Sequence, residues 1–167
     1  MENVSINKSI HLSEHITLGE VTKSRHAEIY NIPSHVAIEN LKRVCSWLEE
    51  LRKRYNLRYV LRSGSPPKLG GEEDTPIIIT SGYRSAQLNR KVGGSATSNH
   101  LTGCAVDIRV AGIEQAMRYA VILMDYADET KQDYDEILIE RNRYGAIWLH
   151  FAVRPKDNRR KTMFLQK

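Results

Sequence analysis

The sequence predicts an α+β fold, a small antiparallel sheet flanked by helices. Three observations carry this. Helical spacing dominates the early part of the chain. Short apolar runs of strand type follow, with one helical interval between them. The last two runs are joined by a connection of hairpin character. Taken in order, the first ten residues are polar and read as a loose end, and Leu18–Ser24 reads as a short helical turn at best. Asn31-Ile32-Pro33-Ser34 is a turn whose Ser34 suits an N-cap. From His35 to Tyr55, apolar residues at Val36, Ile38, Leu41, Val44, Cys45, Trp47, Leu48 and Leu51 fall three and four apart, which predicts an amphipathic helix.

The stretch from Ser63 to Asp74 is dense in Gly, Pro and Ser and reads as an exposed loop. Pro76–Thr80 predicts a buried strand, and Ser81-Gly82-Tyr83 turns into a short helix near Ser85–Lys91. A flexible loop at Gly93–Ser98 leads to a strand at Ala105–Val110 and a helix from Ile113 to about Tyr126. Two strands, Glu136–Glu140 and Ala146–Val153, flank the connection Arg141–Gly145. The whole reads as one domain over residues 1–167, with residues 155–167 a second loose end.

Composition excludes several classes. A hydrophobic fraction of 41% and a charged fraction of 27% over 167 residues fit an ordinary globular domain. No apolar run approaches a membrane span, and the N-terminal residues lack the pattern of a signal peptide. Synthesis in the cytoplasm is therefore expected, with no membrane partner. Cys45 and Cys104 are far apart and form no paired metal motif. Net charge is +5, part of it in the run Arg154–Lys161, which reads as a solvated end or as attraction to a polyanion. Neither aromatic-basic interleaving nor a helix-turn-helix pattern supports nucleic-acid binding.

The chemistry concentrates in Ser98-Asn99-His100-Leu101-Thr102-Gly103-Cys104-Ala105-Val106-Asp107 and in Trp148-Leu149-His150. Strand alternation puts Asp107 on the face of Ala105 and Arg109, opposite Val106 and Ile108. A carboxylate in so apolar a strand needs a partner: a metal, an arginine or backbone donors. His150 poses the same problem between Leu149 and Phe151. Two imidazoles and one carboxylate are a donor set that leaves a fourth zinc position open. Gly103 permits the backbone path between His100 and Asp107. Ser98 is placed to steady the loop or touch substrate. Arg84 either binds a substrate carboxylate or oxyanion, or fixes its loop through a salt bridge. The same alternation points Cys104 away from Asp107, into packing.

Ser81-Gly82-Tyr83-Arg84-Ser85, the block from Ser98 to Asp107 and Trp148-Leu149-His150 together resemble the zinc D-Ala-D-Ala carboxypeptidases. That family includes phage endolysin peptidases and shares its fold with the hedgehog signalling domain. The resemblance extends over about residues 11–153, with Leu12–Ser24 similar to the family's lead-in. It implies one Zn2+ held by His100, Asp107 and His150, and a peptidoglycan peptide as substrate. A monomeric phage or prophage lysis enzyme, acting at the cell wall once released, is the implied setting. Some relatives carry an acid three positions before the last zinc histidine, or a histidine two before it. Here Ile147 and Trp148 stand there, and neither accepts a proton. The resemblance then makes Glu140 the candidate general base, since family members with this W-x-H form often carry an acid in a similar strand, with Asp135 and Glu136 in reserve. The alternative is a non-catalytic, zinc-stabilised binding domain.

Overall fold

The structure, a computed structural model, describes residues 6–60 and 74–167. The predicted loop at Ser63 to Asp74 thus lies, except for Asp74, outside the described residues. A five-residue helix α1 (Leu18–Thr22) is set by a complete capping box. Thr17 Oγ1 accepts from the Glu20 amide while the Glu20 carboxylate accepts from the Thr17 amide. Residues 8–10 are tied to it, since the amides of Leu18 and Gly19 donate to the carbonyls of Ile10 and Lys8.

Helix α2 (His35–Tyr55) has Ser34 as N-cap, as the sequence predicts. It continues into a π-helical turn at Asn56–Val60. Its apolar stripe, Leu41, Val44, Cys45, Trp47, Leu48 and Leu51, is buried. Strand β1 (Ile79–Ser81), α3 (Ala86–Lys91) and a 3₁₀ turn (Asn99–Thr102) follow. Then come β2 (Ala105–Arg109), α4 (Ile113–Thr130), β3 (Glu136–Arg141), β4 (Ile147–Ala152) and β5 (Lys161–Gln166).

The five strands run in the order β1-β2-β4-β3-β5. The first four pair antiparallel, and β5 lies parallel to β3. The sheet is therefore mixed rather than wholly antiparallel. This corrects the reading of 155–167 as a loose end: residues 161–166 form an edge strand. Strand β4 returns the chain to the start of β3, and the segment from Val153 to Arg160 carries it past that end, so that β5 begins beside Glu136 and runs parallel to β3. Strand β1 begins later than predicted. Pro76 has no amide to give a ladder, and pairing starts at Ile79 opposite Ile108.

The sheet separates two environments by its period of two. Val106, Ile108, Ile137, Ile139, Leu149 and Phe151 face the core, where they meet α2 and α4. Trp47 joins the layers, edge-on to Tyr126 at 4.8 Å and tilted on Phe151 at 5.5 Å between ring centres. The other face carries Asp107, Glu136, Leu138, Glu140, Trp148 and His150, and lines a cleft of about 570 Å³. Cys45 and Cys104 are both free and buried.

Candidate metal centre

Each predicted metal ligand is held by a different element, and each placement has a local cause. His100 sits in the 3₁₀ turn, whose N-cap Ser98 accepts from the His100 amide at 3.3 Å. The turn ends at Gly103 with φ of 73°, the left-handed conformation that favours glycine. A Cβ there would also lie 2.5 Å from the Ala37 carbonyl oxygen on α2. The loop can thus close onto α2 and deliver the chain directly into β2, with Asp107 on its cleft face. The register then sets Asp107 opposite His150 on β4.

Ligand atoms of His100, Asp107 and His150 all lie within 4.8 Å of one another, and all three residues are buried. Among the described residues this is the only such group of histidine, cysteine and acidic side chains. Cys104 is not part of it, as strand alternation anticipates. The outer nitrogen of each imidazole is anchored. His100 Nδ1 donates to the Gly82 carbonyl at 2.7 Å, and His150 Nε2 donates to Glu136 Oε2 at 3.1 Å. Because a carbonyl and a carboxylate can only accept, these bonds fix where the hydrogens sit. The inner nitrogens then converge on Asp107: His100 Nε2 is 3.4 Å from Oδ2 and His150 Nδ1 is 2.9 Å from Oδ1. A neutral imidazole in this arrangement aims a lone pair at a carboxylate. Two lone pairs facing each other in a buried site call for a cation between them. The donor set fits zinc on these grounds.

Without a metal, the cation at this site is a proton. Burial alone would lower the His150 pKa, but hydrogen bonds to Asp107 and Glu136 outweigh it and raise it to about 9. Burial lowers that of His100, against the pull of Asp107. Burial would raise the Asp107 carboxyl, yet the attraction of His100 and His150 carries it well below the carboxylate range. The sign for His150 follows. Its folded pKa exceeds the unfolded value of about 6.5, so its contribution to metal-free stability is complete below that pH and is lost as pH rises through about 9. Metal entry at Nδ1 must displace this proton. Zinc titration by calorimetry in buffers of different ionisation enthalpy is expected to show release of about one proton at pH 7, falling away above pH 9. Proton release independent of pH would rule out His150 as the group that gives it up.

Arg84 reaches the centre from the turn after β1. Its Nη2 donates to Asp107 Oδ2 at 2.9 Å, its Nε donates to Ser81 Oγ at 2.9 Å, and its amide donates to the His100 carbonyl at 3.0 Å. A salt bridge that fixes the loop is therefore present, and the side chain also lines the cleft. Asn31 brackets this turn. Its Nδ2 donates to the carbonyls of Thr22 and Tyr83, and its Oδ1 accepts from the Ser85 amide. Gly82 is pressed against α1 so closely that a Cβ would come 2.2 Å from the Val21 carbonyl oxygen. The lead-in helix thus helps aim the carbonyl that holds His100.

Leu138 stands opposite His150, so Glu136 and Glu140 are its diagonal neighbours on either side. Glu136, a reserve candidate in the sequence, is the one bonded to His150. Hydrogen bonding to His150 is the main cause that holds its carboxyl below the usual range, in spite of burial. Glu140 is 2% exposed and lines the cleft beside Trp148. Its Oε2 lies 2.7 Å from Lys167 Nζ, an ion pair without hydrogen-bond alignment. Asp135 is turned away from the cleft toward arginines, with Arg159 bound across both carboxylate oxygens at 2.9 and 2.7 Å. The basic run is exposed over most of its length, yet Arg154 and Arg159 within it engage Asp135, and Arg159 and Asn99 are site-supporting residues that sequence reasoning missed.

Residues 68–133 match the family model described as Peptidase M15. The match supports the resemblance to zinc D-Ala-D-Ala carboxypeptidases and endolysin-type peptidases. It takes in Arg84, Ser98, His100 and Asp107, covers less than half of the chain and stops before Glu136, Glu140 and His150. No curated protein matches the chain. No helix among the described residues is long and apolar enough to cross a membrane.

Proposed function

We propose that this M15-like chain is a zinc-dependent peptidase that hydrolyses peptide bonds in peptidoglycan stem peptides, as a carboxypeptidase or an endopeptidase. The observation that carries the reading is the convergence of His100 Nε2, Asp107 and His150 Nδ1 at a wall of an open cleft, with their outer atoms already anchored. When bound, zinc supplies polarisation of the scissile carbonyl and acidification of a water molecule. The chain's own groups would do the rest. Glu140 takes the proton of the attacking water and returns it to the leaving amine. Arg84 offers its guanidinium to a substrate carboxylate or to the oxyanion that forms at the carbonyl. Ser98, at the lip of the turn that carries His100, is placed to meet the peptide.

Charge agrees with an anionic substrate. Arg84, Arg159, Lys161 and Lys167 line the cleft against Asp107, Glu136 and Glu140, before any metal is counted. Stem peptides bring free carboxylates to such a surface. A second reading, a zinc-stabilised binding domain, draws support from Lys167, which already engages Glu140.

Purified peptidoglycan digested with zinc-loaded protein and read by mass spectrometry separates these readings. Loss of terminal D-alanine identifies a carboxypeptidase, and opened cross-links or stem peptides identify an endopeptidase. Stoichiometric zinc with no product from any wall preparation would instead leave the binding domain.

A further inference from the structure

We infer that the basic segment from Arg154 to Lys167 is a working part of the metal centre, with Arg159 as the residue that positions both histidine-bearing elements. This rests on His100, Asp107 and His150 being the zinc ligands. Two hydrogen-bonded paths lead from one guanidinium, one to the His150 imidazole and one to the turn that carries His100. Along the first, Arg159 Nη2 donates to Glu136 Oε1 at 3.0 Å, and Glu136 Oε2 accepts from His150 Nε2 at 3.1 Å. Along the second, Arg159 spans the carboxylate of Asp135, whose Oδ2 accepts from Asn99 Nδ2 at 2.7 Å. Asn99 immediately precedes His100 in the 3₁₀ turn and also donates to Glu136 Oε2 at 3.1 Å.

Asp135 and Glu136 are consecutive carboxylates, and the Asp135 side chain is 0% exposed. Arg159 neutralises the pair where they meet. Without it, two like charges share Asn99, and a buried carboxylate loses its main partner. Glu136 is then pushed off the ring it orients, and the His100 turn loses its tie to β3. Outer contacts of this kind set ligand orientation and change metal affinity by about 10–100-fold. Arg154 Nη2 still reaches Asp135 Oδ1 at 3.0 Å, so one cation remains at the buried carboxylate when Arg159 is removed. Coupling is reciprocal. If docking of the segment tightens the metal, the metal must tighten the segment.

The test compares wild type, Arg159→Met and Arg160→Met. Arg160 lies in the same segment, but its guanidinium binds Asp128 and Asp133, away from the centre. Zinc affinity is read by competition with a chromophoric chelator, and hydrogen exchange of residues 161–166 is followed with and without zinc. Arg159→Met is expected to bind zinc about 10–100-fold more weakly, Arg160→Met to stay near wild type, and zinc to slow exchange across β5 in wild type. Wild-type affinity in Arg159→Met, equal losses in both variants, or exchange in β5 indifferent to zinc would each overturn the inference. Should Arg159→Met fail to fold, the exchange experiment on wild type decides alone. Wild-type protein that binds no zinc would overturn the metal assignment itself, and is recognised by that result.

Discussion

Replacing Asp107 with asparagine is expected to remove stoichiometric zinc binding and, with it, all measurable peptide hydrolysis. Asparagine keeps the volume and one acceptor oxygen but loses the charge. That charge has three partners: Arg84 at 2.9 Å, His150 at 2.9 Å and His100 at 3.4 Å. Two further effects follow from its loss. Arg84, with its side chain 16% exposed, is left facing a neutral amide, and nothing draws the two imidazoles to one point. Breaking a buried pair from one side costs about 3–5 kcal/mol, so the metal-free variant should also melt earlier than metal-free wild type. The loss of zinc affinity should exceed the about 10–100-fold expected of an outer contact such as Glu136. Metal content by elemental analysis, with thermal unfolding of the metal-free proteins, reads both. Full zinc occupancy in Asp107→Asn would sink the three-ligand assignment.

The candidate ligands are legible because their chemistry is written locally. A histidine and an aspartate across a glycine-bearing turn, and a polar residue inside each of two apolar strands, demand explanation from sequence alone. Strand alternation then assigned the correct face to Asp107 and excluded Cys104. The helix from His35 to Tyr55 was legible for the same reason, since its period is a property of the segment itself. Helix α4 was found but ends at Thr130, beyond the last strongly apolar turn; Lys131, with φ of 55°, caps it. What escaped was long-range. In Lys161-Thr162-Met163-Phe164-Leu165-Gln166-Lys167 the apolar and polar residues alternate weakly, and a basic run before it resembles a solvated tail. Its strand character comes from pairing with β3. Asp135 could be identified as a structural carboxylate only with Arg159 in view, 24 residues away. Alternation puts Glu136 and Glu140 on one cleft face, so the strand itself does not separate their roles. The partners they find there, His150 for one and Lys167 for the other, depend on a strand the sequence did not reveal.

That division makes Glu140→Gln the sharpest test of catalysis, with an expected fall in kcat/KM of about 10²–10⁴-fold at unchanged zinc content. Glutamine fills the same space beside Trp148 and leaves the ligand set intact, so folding and metal should survive while proton transfer fails. Glu136 should behave in the opposite way. Its carboxylate is committed to His150, Asn99 and Arg159, so Glu136→Gln should act through zinc affinity, and much of its defect should disappear at saturating metal. The two variants assayed side by side, each with and without excess zinc, separate moving a proton from holding a ligand. An active Glu140→Gln beside a zinc-saturated but inactive Glu136→Gln would transfer the role of base to Glu136. The ring of His150 would then be held by a group that also takes part in the chemistry.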